Sequence, residues 1–323
     1  MRHQLNLKQK TLVLFTTALI AVVPPYSSAA APDANCEADG IVIDSHLHVT
    51  SPENFDASPL KAIGLLTEPV TGEKALAELK NSGIDMAVLV STAYLYEDRK
   101  TFMHENDYVA GLVKAHPDKF MGLCAITPSQ PWAMEELERC IDTLGLNGLK
   151  LHLSANKMDL TNPEEAATIA ALFTKAAEVK AGLPILIDFN WIDDAQTAEL
   201  IQLAMANPGV NIIMAHGLGH HYKEFVMVEL LRKLVKGSLG NLYADLSATF
   251  TAYPPGSPSF DDYIWHLRKM GAGQLLFGSD YPVETPGNSY EAFLKMGFNA
   301  EEQKQIQGAN AAKLFGCSTT SSE

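Results

Sequence analysis

The stretch Ile41-Val-Ile-Asp-Ser-His-Leu-His48 decides how the rest of the chain is read. Its first half is a short run rich in β-branched residues, as in a strand covered on both faces. Its second half places His46 and His48 two residues apart, so on a strand both imidazoles point to one face. Further apolar runs follow at about 84–91 (IDMAVLVS), 120–126, 148–153, 184–189, 210–216, 242–247 and 274–279. Amphipathic stretches lie between them, among them 73–81, 107–115, 135–144, 163–180, 193–206, 223–236 and 261–270. Eight such alternations predict an α/β protein, a single (β/α)8 TIM barrel in preference to an open doubly wound sheet. No glycine-rich phosphate loop follows the first strand, which argues against a dinucleotide fold. In a barrel of this kind catalytic groups sit at the C-terminal ends of the strands.

Polar residues collect at those ends. The first strand closes on His46 and His48, the fourth carries Lys150 and His152, the fifth ends in Asp188, the sixth in His216 and the eighth in Asp280. Histidines that only filled a core would not gather there. Imidazoles and carboxylates converging at one mouth are ligands for a divalent cation. Asp44 and Lys150 share the inward parity of these groups but lie deeper, which predicts a structural ion pair between them. Phe189, Trp191 and Tyr281 flank strand ends and can wall a pocket. His220 and His221 read as solvated loop residues. The segment from Thr50 to Gly72, with Pro52, Pro59 and Pro69, is placed to rise over the mouth as a lid.

Composition narrows the partners. The 323 residues carry 24 Lys+Arg against 38 Asp+Glu, a net charge of −14. No basic stripe exists to attract phosphates, so nucleic acid and anionic membrane are not expected partners. A small-molecule substrate is, and association between copies stays open. Residues 1–30 read as a signal peptide: Arg2, Lys8 and Lys10, an apolar run from Thr11 to Val23, then small residues up to Ala31. Its removal takes those three basic groups and no acidic one, moving the charge to about −17. The protein is therefore expected to be exported, periplasmic or secreted, with one domain over 31–317 and a disordered tail over 318–323. Cys36 and Cys317 lie at the two ends that a closed barrel brings together, so a disulfide between them is expected. Cys124 and Cys140 are expected to be small core hydrophobes.

Six motifs carry a family resemblance: DSHLH (44–48), HPDKFMGL (116–123), GLKLH (148–152), IMAHGLG (213–219), LFGSDYP (276–282) and NAAKLFG (310–316). On these the chain resembles the amidohydrolase superfamily. More narrowly it is similar to the amidohydrolase-related branch that includes aminocarboxymuconate-semialdehyde decarboxylase-like, metal-dependent enzymes. The resemblance implies one divalent metal, zinc first, with manganese or another ion admitted, held by His46, His48 and Asp280. It implies that Asp280 also acts as the base and that His216 works on substrate or proton. Because that branch is mononuclear, a carbamylated Lys150 bridging two metals is not expected. The family commonly has a ligand histidine at the end of strand five, where this chain has Asp188. Either Asp188 replaces it or the ligand is lost; replacement is the expectation, with His152 in reserve.

Three functions remain open at this stage: hydrolysis of an amide, ester or lactone, decarboxylation by the same machinery, and ligand binding without turnover. Beyond the first thirty residues the arginines are Arg99, Arg139, Arg232 and Arg268, and only Arg99 reads as a mouth-loop residue able to grip substrate. Carboxylates are best held by arginine. That scarcity places hydrolysis first.

Overall fold

The computed structural model describes residues 40–189 and 194–316. Eight parallel strands form one sheet in sequential order: β1 Ile43–Val49, β2 Met86–Ser91, β3 Phe120–Ala125, β4 Gly148–His152, β5 Leu183–Asp188, β6 Val210–Met214, β7 Leu242–Asp245 and β8 Leu275–Leu276. Interleaved helices make this a (β/α)8 TIM barrel. The eighth strand is shorter than its apolar run, ending at Leu276. Backbone bonds beyond it still close the ring: Ser45 N–H donates to Phe277 O at 2.9 Å, Asp280 N–H to His46 O at 2.7 Å and His48 N–H to Tyr281 O at 2.9 Å.

Strand parity divides the apolar residues into two shells. Ile43, Val88, Met121, Leu123, Leu186, Ile213 and Leu276 fill the barrel interior, and Ala311, Ala312 and Phe315 of the helix Asn310–Phe315 pack against this cluster. Leu47, Leu89, Cys124, Leu149, Leu151, Ile185, Ile187 and Ile212 face the helices instead. Each fully buried aliphatic side chain contributes roughly 1.5–3 kcal/mol. At Gly308 an added Cβ would lie 2.0 Å from Ile41 O, so only glycine allows the C-terminal segment to cross the start of β1 so closely.

The first strand contains a feature that strict alternation misses. Ile43 points inward and Leu47 outward, although both are odd-numbered. The β1–β2 register shifts between Asp44 and Leu47. This bulge re-aims the strand so that the even-numbered His46 and His48 face the site.

The Thr50–Gly72 segment folds back on itself. Thr50 N–H donates to Val70 O at 3.0 Å and Val70 N–H to Thr50 Oγ1 at 2.8 Å. Glu105, buried in the helix Arg99–Ala115, accepts from Ser51 N–H at 3.0 Å and from Asn54 Nδ2 at 2.7 Å. None of the described helices is long and apolar enough to cross a membrane.

The expectation for two cysteines is corrected. Cys124 and Cys140 are joined as a disulfide, with Cα atoms 6.1 Å apart. Cys124 faces outward from β3, and the helical stretch that follows lays Cys140 directly over it. The expected Cys36–Cys317 bond, the signal segment, Trp191 and the tail all lie outside the described residues. The Cys124–Cys140 bond closes a short loop, for which chain-entropy models give about 3 kcal/mol. Cys140→Ser is therefore expected to lower unfolding free energy by about 2–4 kcal/mol in a denaturant titration. Unchanged stability together with free thiols in the wild-type peptide map would refute the bond.

Candidate metal centre

His46 and His48 project from above the bulge with their Nε2 atoms 3.1 Å apart. Asp280 joins them, its Oδ1 at 3.5 Å from His46 Nε2 and 3.3 Å from His48 Nε2. The ligand atoms of these three buried residues lie within 4.8 Å of one another. Burial, reinforced by the Lys150 ammonium, pushes the His46 imidazole down to about 4 and holds His48 well below its ordinary value. Both rings are therefore neutral at pH 7, as ligand imidazoles must be. His46 Nδ1 faces Asp245 Oδ2 at 3.2 Å, which leaves the Nε2 lone pair for the site. Two imidazole nitrogens this close, beside a carboxylate, suit a cation between them. The residues fit a divalent metal.

The turn that presents Asp280 is held from below. Ser279 donates through its N–H to Asp44 Oδ1 at 2.9 Å and through its hydroxyl to Asp44 Oδ2 at 2.6 Å. Burial pushes the Asp44 carboxyl up to about 7 against these bonds. Asp44 thus anchors the Ser279 turn and does not pair with Lys150, contrary to expectation. Lys150, wholly buried, donates instead to Asp188 Oδ2 at 2.7 Å and lies 3.1 Å from His46 Nε2. The long lysine side chain climbs from inside the barrel to a carboxylate one layer higher. Parity gave its face but not its reach.

Asp188 is thereby bound on one oxygen. Its Oδ1 has no hydrogen-bond partner and stands 3.4 Å from His216 Nε2. The Lys150 and His216 charges hold the Asp188 carboxyl well below its ordinary value, against burial. Asp188 is not part of the three-ligand group of His46, His48 and Asp280. Burial pulls the His216 imidazole down, but Asp188, Asp280 and Asp245 outweigh it and push it up to about 10. His216 is therefore an imidazolium at neutral pH. It and Asp280 both have positive φ, 56° and 61°. Such non-glycine conformations cost about 1–3 kcal/mol and persist where surrounding bonds over-determine them.

The remaining expected residues sort differently. His152 Nδ1 accepts from Ala155 N–H at 3.3 Å, and burial lowers its pKa. Neutral His152 therefore carries its hydrogen on Nε2 and offers a donor. Arg99 lies in the first turn of its helix, not in a loop, because Asp98 caps that helix by accepting from Thr101 N–H at 2.9 Å. Its guanidinium pairs with Glu135 at 2.7 Å and lies over the Trp132 ring; among the described residues no contact joins it to the metal cluster. The Tyr281 ring belongs to the outer core, with Lys74 acting on its hydroxyl. Phe189 packs at the edge of that same core. His221 meets Asp194 at 2.8 Å and lies tilted against the exposed His220, ring centroids 3.9 Å apart.

Sequence reading missed three residues. Asp245 and Ser247 continue the inward parity of β7 beneath His46 and His216. Tyr94, just beyond β2, lies with its ring 4.7 Å from that of His152 and 6.3 Å from that of His48. Each stands at a strand end, the one signal that could have found it.

Removing the Lys150 ammonium leaves Asp188 buried beside only His216. Lys150→Met is expected to lower unfolding free energy by about 3–5 kcal/mol, the range for orphaning a buried charge. Combining it with Asp188→Leu is expected to recover most of that loss. A urea titration in which the single variant is as stable as wild type would remove this pair from the account.

The amidohydrolase family model matches residues 43–317. Gamma-resorcylate decarboxylase of Polaromonas sp. (strain JS666 / ATCC BAA-500) is 24% identical over 256 residues, covering 67% of this chain and 76% of that one. The solved 5-carboxyvanillate decarboxylase of Novosphingobium aromaticivorans, with bound manganese, superposes with a TM-score of 0.64 at 18% identity, over 88% of this chain and 99% of that one. The dihydroxybenzoic acid decarboxylase of Polaromonas sp. JS666, with bound manganese and the inhibitor 2-nitroresorcinol, gives 0.59 at 16%, over 85% and 97%. These relatives overturn the expectation of amide, ester or lactone hydrolysis, since each is a decarboxylase. With an enzyme's metal-competent centre at the mouth of its barrel and a family match along nearly all of its described length, the chain belongs to the amidohydrolase family.

Proposed function

We propose that this protein is a metal-dependent decarboxylase of a small hydroxylated aromatic carboxylate. The observation that carries this is the charge balance of the mouth. Lys150 and the His216 imidazolium face the carboxylates of Asp188, Asp245 and Asp280, while His46 and His48 are neutral. That sum is one negative charge, and a bound divalent cation makes it one positive. The cluster then attracts a monocarboxylate without any arginine, which is why scarce arginines misdirected the sequence reading.

His46, His48 and Asp280 would hold the metal. For Asp188 the geometry favours pairing with Lys150 and His216 over the expected ligand role. Zinc is the sequence-based expectation, but a mixed nitrogen and oxygen set also accepts manganese. A metal held by His46, His48 and Asp280 would supply Lewis acidity toward an anionic substrate. Decarboxylation then needs one proton at the ring carbon that bears the carboxylate. Asp280, a carboxylate at rest, is placed to relay it: its Oδ2 lies 4.0 Å from Nε2 of the His216 imidazolium, the source of the proton. As the C–H bond forms and the C–C bond breaks, that bond's electron pair restores the ring and CO2 leaves neutral. His152 Nε2 and the Tyr94 ring stand where an aromatic substrate can be oriented.

We also infer that the protein is exported. A disulfide between Cys124 and Cys140 suits an oxidising compartment.

Purified protein loaded with Mn2+ or Zn2+ is expected to release CO2 from one or more members of a panel of dihydroxybenzoates and carboxylated phenols. Asp280→Asn is expected to reduce turnover at least about 10²-fold, the low end for removing an acid–base group. His216→Asn is expected to be similarly impaired while retaining metal. No CO2 from any member of the panel by fully loaded protein, or a fully active Asp280→Asn variant, would overturn the reading.

A further inference from the structure

We propose that Asp245 and Ser247, at the end of β7, form a positioning pair that fixes the ring orientation of both His46 and His216 and the Nδ1–H tautomer of neutral His46. The pair would tie the metal-holding histidine to the proton-handling one. The role given to His216 rests on the decarboxylase reading; the geometry of the pair does not.

The argument is one of hydrogen-bond inventory. Both residues are wholly buried, so their polar atoms must find partners within the protein. Ser247 has one hydroxyl proton, and its short contact to Asp245 Oδ1 commits it there. Ser247 N–H also donates to Asp245 Oδ1, at 2.8 Å. A carboxylate only accepts. What remains on Ser247 Oγ is lone pairs, and these face His46 Nδ1 at 3.2 Å and His216 Nδ1 at 3.0 Å. Asp245 Oδ2 faces His46 Nδ1 at 3.2 Å, and Ser247 O faces His216 Nδ1 at 3.2 Å. Every partner at both Nδ1 atoms is an acceptor, so both nitrogens carry hydrogen. Each ring then turns Nε2 toward the site, His46 to His48 and Asp280, His216 to Asp188 and Asp280.

The backbone is shaped around this pair. A Cβ at Gly278 would lie 3.1 Å from His46 Cβ and 3.3 Å from Ser247 Cβ, so glycine there allows the two side chains to pack against β8. Ala248 follows with a positive φ of 57°, a conformation rare for alanine.

Full-length Ser247→Ala, Ser247→Thr and Asp245→Asn test the pair, with Mn2+ alone as the binding probe. Asp245→Asn is expected to weaken Mn2+ binding to the metal-stripped protein by about 10–100-fold, the usual effect of losing a ligand's hydrogen-bond partner. Ser247→Ala is expected to shift the Nδ1 ¹⁵N and attached ¹H resonances of His216, whose hydrogen-bond acceptor it removes, and to lower kcat about tenfold at unchanged KM. Ser247→Thr, which keeps the hydroxyl, is expected to restore both. The proposal is overturned if Ser247→Ala leaves both histidine ring spectra as in wild type, a readout that does not depend on Asp245→Asn folding. Wild-type affinity for Mn2+ in a folded Asp245→Asn protein would overturn it equally. If wild type turns over no aromatic carboxylate, the decarboxylase reading fails while the ring and Mn2+ measurements still decide the pair.

Discussion

At the seam where β1 meets β8, the Asp280 N–H donates to the His46 carbonyl at 2.7 Å, and the His48 N–H to the Tyr281 carbonyl at 2.9 Å. These bonds close the ring, and they bring the first-strand histidines against the eighth-strand aspartate. The site cannot form in an open sheet, because β1 and β8 would then be its opposite edges. The Ser279 turn, clamped on Asp44, is part of the same seam. Fold closure and ligand convergence are therefore one event, and the apolar interior beneath serves both.

Above that interior the barrel buries charge, which is expensive unless each group is paired and hydrogen-bonded. Lys150 faces Asp188, His216 lies between Asp188 and Asp280, and His46 backs onto Asp245. Asp188 answers both Lys150 and His216, and His216 answers both Asp188 and Asp280. Burial, reinforced by Lys150, keeps two histidines neutral, while carboxylates keep a third charged within one small cluster. The depressed rings are those beside Lys150, and the elevated one is ringed by carboxylates.

The barrel was legible because near-continuous apolar strands alternating with amphipathic helices have few other solutions. The convergence of His46, His48, His216 and Asp280 at the barrel mouth was legible because strand ends are where such a barrel gathers its polar groups. The bulge in β1 was not legible, since alternation from Ile43 predicts the wrong face for His46 and only the shifted register with β2 reveals the correction. The Lys150–Asp188 pair was missed for a related reason: parity assigns a face, while a lysine side chain spans a layer. Arg99 was misplaced because its helix begins earlier than the apolar period suggests, at the Asp98 cap. Cys124 and Cys140 had no motif, and only the packing of a helix on β3 brings them together.

The aspartate at position 188, where the family resemblance leads one to expect a histidine, is best understood together with Lys150. A wholly buried ammonium needs an anion within reach, and Asp188 Oδ2 at 2.7 Å is that anion. A neutral imidazole at 188 could accept one hydrogen bond from the ammonium but could not balance its charge. Conversely, Asp188 without Lys150 would leave His216 as its sole counter-charge, and that imidazolium is also shared with Asp280. The two residues therefore make sense as a unit. A position where an imidazole would offer a nitrogen here offers charge to a lysine and a histidine. The mouth is thereby an arrangement of fixed charges around the His46, His48 and Asp280 group.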